Sequence, residues 1–148
     1  MISKEAILAM LPYSKPFLFV DALVSISSER VEGTYTFSKE AYFYQGHFKG
    51  NPVTPGVILA ECMAQIGVVC MGILLFEGSE ETPQIALANH TIDFFLPVFP
   101  EETVTVVSEK VYYRFGKLKC KVKMLNSERA IVCQGTISGM IAKHKTKH

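Results

Sequence analysis

The chain has no tryptophan and only four cysteines, Cys62, Cys70, Cys120 and Cys133, in 148 residues. None stands in a C-x-x-C pair, and each lies among apolar neighbours. That excludes a disulfide framework and a zinc site, and it fits reduced core thiols in a cytoplasmic protein. Charge is scarce as well. Charged residues make up 20%, and 15 basic against 14 acidic residues leave a formal charge of +1. This balance excludes a nucleic-acid binder driven by bulk charge. There is no Ser/His/Asp order, no metal-ligand cluster and no phosphate-cradling glycine loop, so neither a metal nor a cofactor is expected. The opening Met1-Ile2-Ser3-Lys4-Glu5 lacks the apolar run of a signal peptide. No internal repeat and no linker interrupts the chain. What is abundant is apolar surface: 49% of residues are hydrophobic, enough to build one domain over residues 1–148 around a packed core.

Residues 57–76 read VILAECMAQIGVVCMGILLF, long enough to span a bilayer. Glu61 and Gln65, one helical turn apart, argue against that. A carboxylate near the middle of a lone span would cost roughly 2.5–3.5 kcal/mol. A helix apolar on all faces and buried inside a fold is the better reading, with no membrane partner. Thr54 is its expected N-cap, Pro55 its first position, and Gly78-Ser79 its end. A short helix is expected over 3–10, capped by Ser3. Strands are expected over 17–26, 31–37, 85–95, 103–113, 117–125 and 130–142, with an ordered loop over 41–55 and a frayed polar tail. Alternation is cleanest at 117–125, where four lysines point one way and Leu118, Cys120, Val122 and Met124 the other. The fold class is therefore α+β. A curved antiparallel sheet of five to six strands wraps one long central helix, and any helix surface left uncovered favours a dimer.

Chemistry concentrates at 44–56. Glycines there permit unusual backbone geometry and prolines fix it, so the loop can hold a side chain still. His47 is the general-base candidate, because imidazole titrates near neutral pH; a histidine that only hydrogen-bonds the loop backbone is the alternative. Glu61, on the second turn of the helix, is the acid candidate. A buried carboxyl is costly unless protonated or well paired, and Gln65 at i+4 can orient it; a purely structural Glu–Gln pair is the alternative. The N–H groups of Gly56 and Val57 open the helix at the positive end of its dipole and can polarise a carbonyl oxygen. A base, an acid and an oxyanion site together point to proton abstraction beside a carbonyl with loss of a leaving group. His90 reads as an ordinary strand or loop residue.

Three blocks carry a resemblance: Leu11-Pro12-Tyr13-Ser14-Lys15-Pro16-Phe17-Leu18-Phe19-Val20-Asp21, then Gly46-His47-Phe48-Lys49-Gly50-Asn51-Pro52-Val53-Thr54-Pro55-Gly56, then Glu61-Cys62-Met63-Ala64-Gln65. They resemble the FabZ-type 3-hydroxyacyl-acyl carrier protein dehydratases, which have the hot-dog fold. The resemblance implies conversion of a 3-hydroxyacyl thioester, held on acyl carrier protein, to a trans-2-enoyl thioester in fatty-acid or polyene-type biosynthesis. It implies that His47 takes the C2 proton and that Glu61 protonates the departing hydroxyl. By the same match Gly56 N–H meets the thioester carbonyl, Gln65 orients the carboxyl, and the Val53 carbonyl steadies the histidine. Phe48 and Val57 join the substrate-binding set. It also implies sites shared between subunits, in a homodimer or a trimer of dimers. The chain departs from the family pattern at Tyr13-Ser14, usually His-Arg, at Lys49, often proline, and at Phe95-Leu96, where basic residues usually meet the carrier. Lys39, Lys49 or Arg114 are the substitutes expected. The rival readings are an acyl thioesterase, an enoyl isomerase, or a non-catalytic acyl-binding subunit.

Overall fold

In strand β5, Lys117–Leu125, the sequence alternation becomes a two-faced surface. Leu118, Cys120, Val122 and Met124 are buried, while Lys121 and Lys123 stand in solvent. The same logic repeats across an antiparallel six-stranded sheet in the order β1-β2-β4-β5-β6-β3. The other strands are β1 (Ala22–Ile26), β2 (Arg30–Thr36), β3 (Pro83–Phe94), β4 (Thr103–Arg114) and β6 (Ile131–Lys143). The computed structural model describes residues 2–76 and 83–143. The expected helix stop at Gly78-Ser79 and the expected frayed tail lie outside the described residues.

The inner face of the sheet wraps the central helix α2, Gly56–Leu75. By length and composition this helix is apolar enough to cross a membrane, and 83% of its apolar window is buried inside the fold. The expected architecture of a sheet around a core helix is thus observed. Met63, Ile66 and Met71 of the helix meet Phe37, Leu118 and Met124 in one core. α2 is not uniform. It is α-helical over Gly56–Ala64 and Cys70–Leu75, with a π-helical turn over Gln65–Val69 between them. At this turn the helix approaches the sheet closely. A Cβ on Gly67 would sit 3.0 Å from Ser108 Cβ and 3.1 Å from Val122. The buried Ser108 hydroxyl donates to the Gly67 carbonyl at 2.9 Å, supplying a partner for a carbonyl in the widened turn.

Helix α1, Lys4–Ala9, is capped as expected: Ser3 Oγ accepts from Ala6 N–H. Two expectations are corrected. The strand expected from residue 17 begins only at Ala22, because the backbone at Phe17 and Phe19 is held by a side chain rather than a ladder. Phe19 N–H donates to Gln65 Oε1 at 2.8 Å, and Phe17 O accepts from Gln65 Nε2 at 3.0 Å. Thr54 does not cap α2 either. Pro55 takes the N-cap position with no side-chain bond, and the Thr54 hydroxyl pairs with the Tyr44 hydroxyl. The loop at 41–55 also contains a short 3₁₀ turn, Tyr42–Gln45, which the sequence did not announce.

Candidate active site

His47 sits on a loop tied down at nearly every step. Its N–H donates to Phe43 O, and its carbonyl accepts from Val53 N–H at 2.9 Å. Phe48 and Asn51 exchange both backbone bonds at 2.9 Å, and Thr54 N–H reaches Val98 O at 2.8 Å. The half-buried ring places Nδ1 2.9 Å from the Val53 carbonyl. A carbonyl can only accept, so Nδ1 carries the proton and the neutral ring keeps its lone pair on Nε2. Phe48, largely exposed, stacks on the imidazole with centroids 4.1 Å apart.

Glu61 projects from the second turn of α2 into a cavity of about 190 Å³. Its wall is formed by Val57, Ala60, Leu87, His90 and Ile137 beside Glu61 itself. The fully buried Gln65 amide uses both of its donors and its oxygen. Nε2 donates to Glu61 Oε2 at 3.0 Å and to Phe17 O, while Oε1 accepts from Phe19 N–H. With Oε2 engaged as acceptor, Oε1 is the atom left to carry a proton. Gly56 and Val57 begin the helix ahead of its first backbone bond, which Ile58 N–H makes to Pro55 O at 2.9 Å. Their N–H groups therefore lie at its positive end. Val57 shares the cavity wall with Glu61 and is 76% exposed, and the Phe94 ring closes over Gly56.

Residues given no role at the site by the sequence also reach this region. Leu87 and His90 come from β3, and Ile137 from β6. His90 is a strand residue as expected, yet it shares the Glu61 cavity. Tyr13 lines a narrower recess with Glu61. Burial, reinforced by the nearby Glu61 and Cys70 charges, pushes its phenol up to about 12. Among the described residues no hydrogen bond and no cavity wall joins His47 to Glu61: each is organised, but apart. Of the proposed carrier contacts, Lys49 is exposed on the His47 loop. Lys39 pairs with Glu101 at 3.7 Å, and Arg114 stacks on Tyr112 at 4.4 Å. Phe95 and Leu96 are exposed at the end of β3.

A family model described as a FabA-like domain matches residues 11–137. The chain is 34% identical over 140 residues to the 3-hydroxyacyl-[acyl-carrier-protein] dehydratase FabZ of Caldicellulosiruptor bescii, covering 93% of this chain and 96% of that protein. It is 33% identical over 140 residues to the protein of the same name from Herpetosiphon aurantiacus, covering 91% and 94%. Among solved structures, a thioesterase from Haemophilus influenzae superposes with a TM-score of 0.72 over 100% of this chain and 96% of that one. At 13% identity that likeness shows the shared hot-dog fold alone.

Proposed function

The chain belongs to the FabA-like family, and we propose that it is a 3-hydroxyacyl-acyl carrier protein dehydratase, a hydro-lyase of fatty-acid biosynthesis in which His47 is the base and Glu61 the acid. The observation that carries the assignment of roles is the pair of fixed orientations. The Val53 carbonyl leaves His47 Nε2 as an acceptor, and Gln65 leaves Glu61 Oε1 to hold a proton. Nε2 removes the C2 proton of the bound thioester. Charge builds on the thioester oxygen, against the N–H groups of Gly56 and Val57. The C3–O bond breaks as Glu61 delivers its proton, and the hydroxyl leaves as water. The turnover ends with a protonated His47 and an ionised Glu61, and transfer of one proton between them restores the pair. Phe48 and Val57 flank the reacting carbons.

The two halves meet across a homodimer. Strand β3 is an edge strand with one unpaired side, and Leu87, Phe94, Phe95 and Leu96 along and beyond it are exposed. An open apolar edge of this length favours pairing with a second copy. His47 of one protomer then faces Glu61 of the other, whether the dimers stand alone or three to an assembly. The substrate arrives on an acidic carrier protein, with Lys49 beside the site as its contact, in the cytoplasm. Mass spectrometry of the products from a 3-hydroxyacyl thioester tests the reaction. Loss of one water to give the trans-2-enoyl thioester is expected. A free acid with free thiol would make it a thioesterase, and a shifted double bond an isomerase.

A further inference from the structure

The Glu61 cavity is not a single chamber. The wider part, about 190 Å³, flanks Val57, Ala60, Glu61 and Ala64, and a narrower part, about 70 Å³, flanks Glu61, Ala64, Val68 and Val69. The two share Glu61, Ala64, Leu87 and Ile137, so they form one tract along α2, wide at the helix start and narrow beyond Glu61. From Glu61 to Val69 the helix advances about 12 Å.

We infer that Tyr13 narrows the far part of this tract and makes the enzyme favour short 3-hydroxyacyl chains over long ones. This rests on the dehydratase reading and deepens it. With the thioester carbonyl at Gly56 and Val57 and C3 beside Glu61, the fourth and later carbons enter the narrow part. The narrow part, about 70 Å³, offers well under half the space of the wide part, about 190 Å³. Part of the remaining wall is tightly packed. It consists of Ile85, Ser138 and Gly139 on paired strands, and a Cβ placed on Gly139 would already stand 3.0 Å from Ile85 and 3.1 Å from Val68. Val68 and Val69 belong to the π-helical turn. Tyr13 alone of the large wall residues comes from an irregular segment, between α1 and β1. Its phenol stays neutral at working pH, so the ring stands as a bulky, uncharged stop.

The test measures kcat/KM of the purified full chain on 3-hydroxyacyl pantetheine thioesters of 4, 6, 8, 10 and 12 carbons. Wild type should fall by about tenfold or more between 6 and 10 carbons, a loss of about 1.4 kcal/mol. Tyr13→Ala should raise the ratio of the 10-carbon to the 4-carbon value by about tenfold. Tyr13→Phe should keep the wild-type ratio, because the ring is the stop. Ile85→Ala opens the packed part of the wall and should move the ratio in the same direction as Tyr13→Ala, which keeps the test decisive if that variant folds poorly. A flat wild-type profile through 12 carbons overturns the inference. So does a ratio left at the wild-type value by both Tyr13→Ala and Ile85→Ala, while dehydration itself would still stand. Loss of water from no chain length at all overturns the dehydratase reading and this inference together.

Discussion

A ring nitrogen that must donate to a carbonyl cannot take a proton, and this divides the labour within His47. The contact with Val53 O commits Nδ1 to holding the ring and leaves Nε2 to the substrate. His47→Ala should therefore lower kcat by about 10²–10⁴-fold. Its melting temperature and circular dichroism should stay close to wild type, because the loop's own backbone bonds remain. Near-wild-type dehydration by the folded variant would remove His47 from the mechanism. Glu61→Gln keeps the shape and the contact with Gln65 but has no acidic proton to deliver. Its expected signature is a fall in kcat with KM little changed, since binding does not depend on the proton. A variant that kept kcat and lost only affinity would make Glu61 a binding residue.

Among the elements, the pairing of β3 with β6 positions Leu87 and His90 over Glu61, and it tolerates little intrusion. A Cβ on Gly135 would fall 1.8 Å from the Thr91 carbonyl oxygen across the ladder. The obstacle is backbone, so the strands must part. Gly135→Ala should cost about 3 kcal/mol or more, lower the melting temperature by several degrees and weaken turnover with it. An unchanged denaturation midpoint would show that the ladder can shift at no cost. The strands were legible in the sequence wherever one face meets the helix and the other meets water, as in β5. Residues 17–21 misled because aromatic and branched side chains read as strand, while the Phe17 carbonyl and the Phe19 N–H are held by the distant Gln65 amide. Thr54 misled because a hydroxyl before a helix reads as a cap, and its partner Tyr44 lies across the loop. For the site, the constrained loop and the carboxyl set in an apolar helix announced themselves locally. Tyr13, Leu87 and His90 did not, since an exposed strand residue and a loop tyrosine gain meaning only once the sheet has curled around α2.

At the scale of the whole molecule, a site divided between protomers has a genetic signature. His47→Ala and Glu61→Gln chains are each inactive alone. Unfolded together and refolded as a mixture, half the dimers carry one intact site, so about a quarter of wild-type activity should return. No recovery in a mixture shown to exchange subunits would place both groups in one chain. Alkali should also unfold the protein by a traceable route. Burial pushes the Cys70 and Cys133 thiols up to about 12 and Cys120 up to about 11, from an ordinary value of 9.0. The unfolded chain therefore loses these protons first. Stability is full below pH 9 and declines as pH rises through about 11–12, with Tyr13 adding to the loss above pH 10. Denaturation midpoints measured from pH 8 to 11 should fall steadily above pH 9, and a flat profile would contradict the buried thiols.

The π-helical turn also bears on which lengths of chain the fold can accept. Each residue added to or removed from a helix rotates everything beyond it by about 100°. The π-helical turn is the exception, because it already holds one residue more than an α turn. Losing one residue within it closes the helix to regular α form and keeps Cys70, Met71, Ile73 and Leu74 near the faces that now bury them, whereas an added residue swings them away. Either change would disturb the contact between the Gly67 carbonyl and Ser108, while the Glu61–Gln65 pair, which precedes it, keeps its spacing. The exposed hairpin at 126–129, by contrast, joins two strands whose register lies upstream and downstream of it, and it can lengthen without moving either. Surviving length variants drawn from a random insertion and deletion library should therefore cluster at the hairpins, and within the helix single deletions should survive at the turn where insertions do not.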